Sequence, residues 1–97
     1  MLYAIHLPNT PLSGAREAYF DAWKVIDERR LRHPEGRRLH VSWLAGDVLH
    51  VLDVWDDLEQ QEAFMRNLAP ILEEFNMTLD GPPEIGEFLQ IVQPGSA

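Results

Sequence analysis

Val48-Leu49-His50-Val51-Leu52-Asp53-Val54-Trp55-Asp56-Asp57-Leu58-Glu59 passes from an apolar strand, through a tryptophan, into an acidic helix start. Its β-branched and apolar residues suit a pleated, half-buried strand. Asp56 followed by Glu59 reads as a capping box, with Asp56 accepting from the first-turn amides and Glu59 reaching back. The junction between strand and helix is therefore fixed. It carries a carboxylate, Asp53, and a large aromatic, Trp55, at its mouth, where connecting segments often build small-molecule sites.

Upstream, Leu39 to Leu44 forms a second apolar run, separated by Ala45-Gly46-Asp47, whose Gly-Asp pair suits a tight hairpin turn. If Gly46-Asp47 is the turn, Ala45 faces Val48, Ser42 faces Val51, Val41 faces Leu52 and His40 faces Asp53. One side of the hairpin then carries Leu39, Val41, Trp43, Val48, His50, Leu52 and Val54. The other carries His40, Ser42, Leu44, Leu49, Val51, Asp53 and Trp55. Side-chain direction has period two, so a three-residue turn would separate His40 from Asp53.

Leu2 to Leu7, ended by Pro8, predicts a first strand. Thr10 before Pro11, or Ser13, offers a cap for a helix whose apolar residues are Ala15, Ala18, Tyr19, Ala22, Trp23 and Ile26. This helix should reach about Arg32, with Pro34 and Gly36 ending it. After Asp56, the residues Phe64, Leu68, Ile71, Leu72 and Phe75 make a second helical stripe. Ala69-Pro70 predicts a break into two pieces. Gly81-Pro82-Pro83 reads as a loop, Ile85 to Val92 as a last strand, and Gln93 to Ala97 as a loosely held tail.

The order β-α-β-β-α-β predicts an α+β ferredoxin-like plait, a four-stranded antiparallel sheet with both helices on one face. The 97 residues suit a single domain, 1–97. Helices on one face leave the other bare, and a large exposed apolar face calls for cover. The expectation is a homodimer joined through the open sheet face.

An apolar fraction of 45% with 25% charged residues is that of an ordinary globular chain, and no apolar run approaches a membrane span. The start, Met1-Leu2-Tyr3-Ala4-Ile5-His6, lacks a basic leader and a cleavage site, so a cytoplasmic location is expected. The absence of cysteine excludes disulfides, thiolate metal sites and thiol nucleophiles. A net charge of −8 disfavours nucleic acid as a partner. Yet Arg29, Arg30, Arg32, Arg37 and Arg38 lie within ten positions. They either complement a helix C-terminus and solubilise the next strand, or form an anion-binding patch.

On the polar side of the hairpin, a histidine across from an aspartate can form a charge-assisted hydrogen bond that fixes the tautomer and raises basicity. A structural polar pair has the same composition. Ser42 beside His40 has no oxyanion hole on a continuous strand face, and no phosphate loop, GxSxG or HExxH occurs. Two histidines and a carboxylate suit a metal, but His6 at the end of the first strand should lie well away from Asp53. No metal is expected.

The segment Val51 to Phe64, together with Leu68-Ala69-Pro70-Ile71-Leu72, resembles the antibiotic-biosynthesis-monooxygenase-like members of the dimeric α+β barrel superfamily. That resemblance implies a dimer whose sheets form a barrel, with a cavity between helices and sheet in each subunit. Some such proteins oxidise polycyclic aromatic substrates with oxygen and no cofactor, and others degrade haem with an asparagine on the first strand, the tryptophan and a histidine on the second helix. Trp55 matches the tryptophan, but His6 stands at the first-strand position and the second helix has no histidine. No cofactor is therefore expected.

What remains is a cofactor-independent monooxygenase or related enzyme for a small aromatic molecule. His40, Asp53 and Trp55 would be catalytic, and His6, Tyr19, Trp23, Ser42 and Phe64 would bind substrate in a cavity of a few hundred Å³ touching His40 and Trp55. Trp23 and Phe64 are also what an ordinary core would use. The alternative is a non-catalytic dimeric module that binds a small ligand or serves interaction alone.

Overall fold

The computed structural model describes residues 1–95, so part of the tail expected over 93–97 lies outside the described residues. The elements follow the expected order: β1 (Tyr3–Pro8), α1 (Ala15–Glu28), β2 (Arg37–Ala45), β3 (Val48–Trp55), α2 (Leu58–Glu74) and β4 (Glu84–Glu87). They form one four-stranded sheet in the order β2-β3-β1-β4, with every neighbouring pair antiparallel. This is the ferredoxin-like α+β plait, and both helices pack on one face.

The hairpin register is the one that the Gly-Asp turn requires. Ala45 pairs with Val48, Ser42 with Val51, Val41 with Leu52 and His40 with Asp53. Gly46 takes a φ of 63°, the left-handed backbone that a tight primed turn needs and glycine supplies without strain. Beyond His40 the ladder departs from simple alternation: a bulge between Arg37 and Leu39 sets Arg37 opposite Trp55 and leaves Arg38 as the extra residue.

Facing the helices are Ile5 and Leu7 of β1 and Leu49, Asp53 and Trp55 of β3, all buried. The apolar ones divide between two adjoining clusters. In one, Leu49 packs with Ala22, Ile26, Ile71 and Met77 under α1. In the other, Ile5, Leu7 and Trp55 pack with Phe64 under α2. The other face holds Val41 and Trp43 in the open, with His6 and His50 half-buried beside them.

Five points differ from expectation. Helix α1 is not capped by Thr10 or Ser13, since Gly14 occupies its N-cap while Thr10 Oγ1 lies 3.0 Å from Thr78 Oγ1, tying two loops together. It ends at Glu28 rather than Arg32: Arg30 turns left-handed at φ 57°, and the Arg30 and Leu31 amides fold back on the Asp27 and Ile26 carbonyls at 3.1 and 2.9 Å. Helix α2 is one piece that runs through Pro70, and its cap is Asp57 rather than Asp56: the Asp57 carboxylate accepts from the Glu59 amide at 2.7 Å, while that of Asp56 accepts from Arg38. The carbonyl that proline leaves without a donor belongs to exposed Arg66, so the break costs little against the packing of Phe64 and Ile71. Strand β4 stops at Glu87, because its partner at that point is Tyr3 and β1 has ended. Phe88 makes one last bond to the Leu2 carbonyl, and Leu89, Ile91 and Val92 continue unpaired and exposed.

Candidate functional site

The hairpin places His40 and Asp53 side by side on the helix face, and α1 lays Tyr19 and Trp23 across them. His40 Nδ1 lies 2.6 Å from Asp53 Oδ1, and Asp53 is 4% exposed. An ionised carboxylate only accepts, so the Nδ1 proton is donated to Asp53 and the lone pair of the neutral ring sits on Nε2. Tyr19 Oη lies 3.4 Å from that Nε2 and 2.6 Å from Ser42 Oγ. The contact to Ser42 is the short one, and 3.4 Å is long for a hydrogen bond, so Nε2 is only weakly engaged. The Trp23 ring meets the imidazole edge-on at 5.4 Å between centroids, which fixes the plane of His40.

Two spaces meet at these side chains. An inner, apolar cavity of about 70 Å³ lies between the helices and the sheet and touches Asn9, Asp53, Phe64 and Leu68 among others. An open groove of about 680 Å³ runs between α1 and β2 past Ser42, Leu39, Arg32 and Arg38. Tyr19, Trp23, Arg37 and His40 border both. The imidazole thus stands at a doorway, with solvent on one side and an apolar chamber on the other. The chamber is well below the few hundred Å³ expected for it, being roomy enough for a few water-sized groups.

Of the residues expected at the site, His40, Asp53, Tyr19, Trp23 and Ser42 come together. Phe64 lines the inner chamber and is at the same time core, buried against Trp55 at 5.6 Å between ring centroids. Trp55 is on the expected face but borders neither space: fully buried under α2, its indole N–H has no acceptor. It supports the sheet rather than touching a ligand there.

His6 is displaced further from expectation. Its partner across β1 and β3 is Leu52, so it projects from the open face, where its Nε2 lies 3.0 Å from His50 Nδ1 and its ring lies parallel to those of His50 and Trp43. The chamber is lined instead by Leu7 of β1 and by Asn9, just beyond it. Asn9 is buried, and both its amide and its side-chain Nδ2 donate to the Leu49 carbonyl, at 3.0 and 3.2 Å. Among the described residues no group of three His, Asp or Glu side chains converges to hold a metal ion.

Arg37 was not legible as a site residue, because strict alternation puts it on the open face and only the bulge turns it toward the helices. It is half-buried, its guanidinium lies 5.2 Å over the Phe64 ring, and it donates to the Arg32 carbonyl at 2.6 Å. Burial lowers its pKa, opposed by the nearby negative charge of Asp53.

This arrangement of elements recurs in solved structures. A candidate antibiotic biosynthesis monooxygenase from Chloroflexus aurantiacus superposes with a TM-score of 0.69 at 14% identity, covering 98% of this chain and 100% of its own. SnoaB, a cofactor-independent oxygenase from Streptomyces nogalater, gives 0.68 at 9% identity, covering 96% and 98%. The fold is that of the antibiotic-biosynthesis-monooxygenase-like proteins. The same fold extends to a Nitrosomonas europaea protein of unknown function, at a TM-score of 0.64 and 19% identity over 98% of this chain and 96% of that one. Neither a protein-family model nor a curated protein sequence matches the chain. Identities this low carry the fold and leave the chemistry to be argued from the residues. No helix among the described residues is long and apolar enough to cross a membrane.

Proposed function

We propose that the chain is a small-molecule enzyme in which His40, oriented by Asp53, removes a proton from a small aromatic substrate, and the electron-rich anion so formed reacts with oxygen without a cofactor. The observation that carries this reading is the 2.6 Å bond from His40 Nδ1 to buried Asp53, which leaves Nε2 as a base at the doorway between groove and chamber. A base placed within hydrogen-bonding reach of a substrate contributes about 10²- to 10⁴-fold to rate. The imidazolium that results is stabilised by the adjoining carboxylate, and Tyr19 and Ser42 supply hydroxyls for a substrate oxygen.

The chamber of about 70 Å³ is too small for a fused ring system, so the ring lies in the groove against Trp23 and Tyr19 and presents its reactive edge to His40. For a ketone with an acidic methylene, loss of the proton gives the enolate. Two electrons then pass to oxygen, giving a hydroperoxide at that carbon, and loss of water leaves a second ketone. One molecule of oxygen is consumed per methylene oxidised, and the only other product is water.

The working form on this reading is a homodimer through the open face, supported by exposed Val41 and Trp43 on that face. Anthrone, a tricyclic ketone of this type, tests the chemistry through oxygen uptake and quinone formation. Wild-type protein should accelerate both, and His40→Asn should not. Equal rates with and without wild-type protein across a panel of one-, two- and three-ring enolisable ketones would favour the second reading, a non-catalytic ligand-binding module. The small chamber and the sealed Trp55 are what speak for that alternative.

A further inference from the structure

The basic residues around the groove are not equivalent. Arg32 is held by both oxygens of Asp27, at 3.0 and 2.9 Å, and Arg38 by Asp56 at 2.7 Å. Arg37 has no carboxylate within ion-pairing distance among the described residues, although it is the half-buried one of the three. Asp53, its nearest source of negative charge, is already engaged by His40. Of the five N–H donors of its guanidinium, one meets a protein acceptor, the Arg32 carbonyl.

None of its nitrogens is buried without a partner, so its remaining donors open onto the groove, where an anion can complete them. The surroundings are prepared for one. Of the four cations that line the groove, Lys24, Arg32 and Arg38 are paired with Asp21, Asp27 and Asp56, which leaves Arg37 as the one without a carboxylate among the described residues. That local positive charge runs against the net charge of −8 on the whole chain. The bulge that turns Arg37 inward also places it beside His40, bordering both groove and chamber.

We propose that the ligand of this groove is an aromatic carboxylate, gripped by the guanidinium of Arg37 while its ring lies along Trp23 and Tyr19 with one edge at His40. Planar forks match carboxylates in two parallel hydrogen bonds, which sets direction as well as affinity. The inference takes the ring's position from the reading above and is independent of proton removal.

Calorimetric titration of 1-hydroxy-2-naphthoate and of 1-naphthol, which share a ring system and differ by the carboxylate, tests it. Wild-type protein should bind the naphthoate at least tenfold more tightly, and that preference should shrink as salt is raised. Arg37→Met should remove the preference, and Arg37→Lys, which keeps the charge without the fork, should lose part of it. In nitrogen-detected magnetic resonance of the wild type, the naphthoate should shift the Arg37 Nε–H signal, a readout that needs no variant to fold. Equal affinities, no naphthoate binding, an unmoved Arg37 signal, or a folded Arg37→Met that keeps the preference each overturn the proposal. The two readings separate cleanly, since the preference is measured without turnover and His40→Asn removes oxidation while leaving Arg37 in place.

Discussion

Asp53 is the residue on which the site turns, because a carboxylate at 4% exposure must keep a partner. His40→Ala takes that partner away, and leaving a buried acceptor unsatisfied costs about 1–3 kcal/mol. His40→Asn is the more informative change. Its amide nitrogen falls close to the position of imidazole Nδ1, so the bond to Asp53 survives while the base is gone. Thermal unfolding should show His40→Asn within about 1 kcal/mol of wild type and His40→Ala clearly below it. Oxidation should be lost in both. Were His40→Asn to keep full turnover, the imidazole would be structural. The His40–Asp53 pair was legible because a two-residue Gly46-Asp47 turn and a period of two set the two residues opposite each other. Arg37 was not, since one extra residue at the bulge reverses the alternation and nothing in the local sequence announces it. His6 and Trp55 were misplaced for different reasons. His6 required the register between β1 and β3, strands distant in sequence, and Trp55 required knowing how far Phe64 of α2 reaches over the sheet.

At the scale of elements, the turn from α1 into β2 governs where Arg37 points. Gly36 has a φ of 88°, its carbonyl accepts from the Asp56 amide at 2.8 Å, and a side chain there would run into the amide of Gln60 on α2. Gly36→Ala combines a left-handed backbone that alanine resists with displacement of the Gln60 side-chain amide, and should destabilise by about 1–3 kcal/mol. Denaturant unfolding measures the loss. The same variant should weaken naphthoate binding more than naphthol binding, because the displaced β2 entrance carries Arg37 with it. Gly46→Ala, also left-handed but with open space around it, serves as the comparison: it should cost stability alone. Element order was readable from apolar periodicity and turn residues. The ends were less so, because the stop of α1 at Glu28 and of β4 at Glu87 depends on backbone bonds and on the length of a neighbouring strand. The continuity of α2 through Pro70 is a case of tertiary packing outweighing a local preference.

For the molecule as a whole, the open face decides what the protein is in solution. Val41 is 41% and Trp43 44% exposed on the side of the sheet away from the helices, where the rings of Trp43, His50 and His6 lie parallel at centroid distances of 5.2 to 6.0 Å. In the dimer proposed above, this flat aromatic and imidazole surface and the aliphatic residues beside it meet their own copy across a two-fold axis. The exposed run Leu89 to Val92, which has outlasted the strand it could pair with, adds further apolar surface that a second subunit can cover. Sedimentation equilibrium of the wild type should therefore report twice the mass of one chain. Trp43→Glu removes the stacking surface and sets two like charges against each other at a self-complementary interface, so that variant should sediment as a single chain with the helical circular dichroism signal preserved. The site lies on the opposite face of the sheet, between α1 and β2. A monomeric Trp43→Glu should accordingly keep the preference for naphthoate over naphthol. Loss of that preference on dissociation, with the fold intact, would mean that the partner subunit shapes the groove.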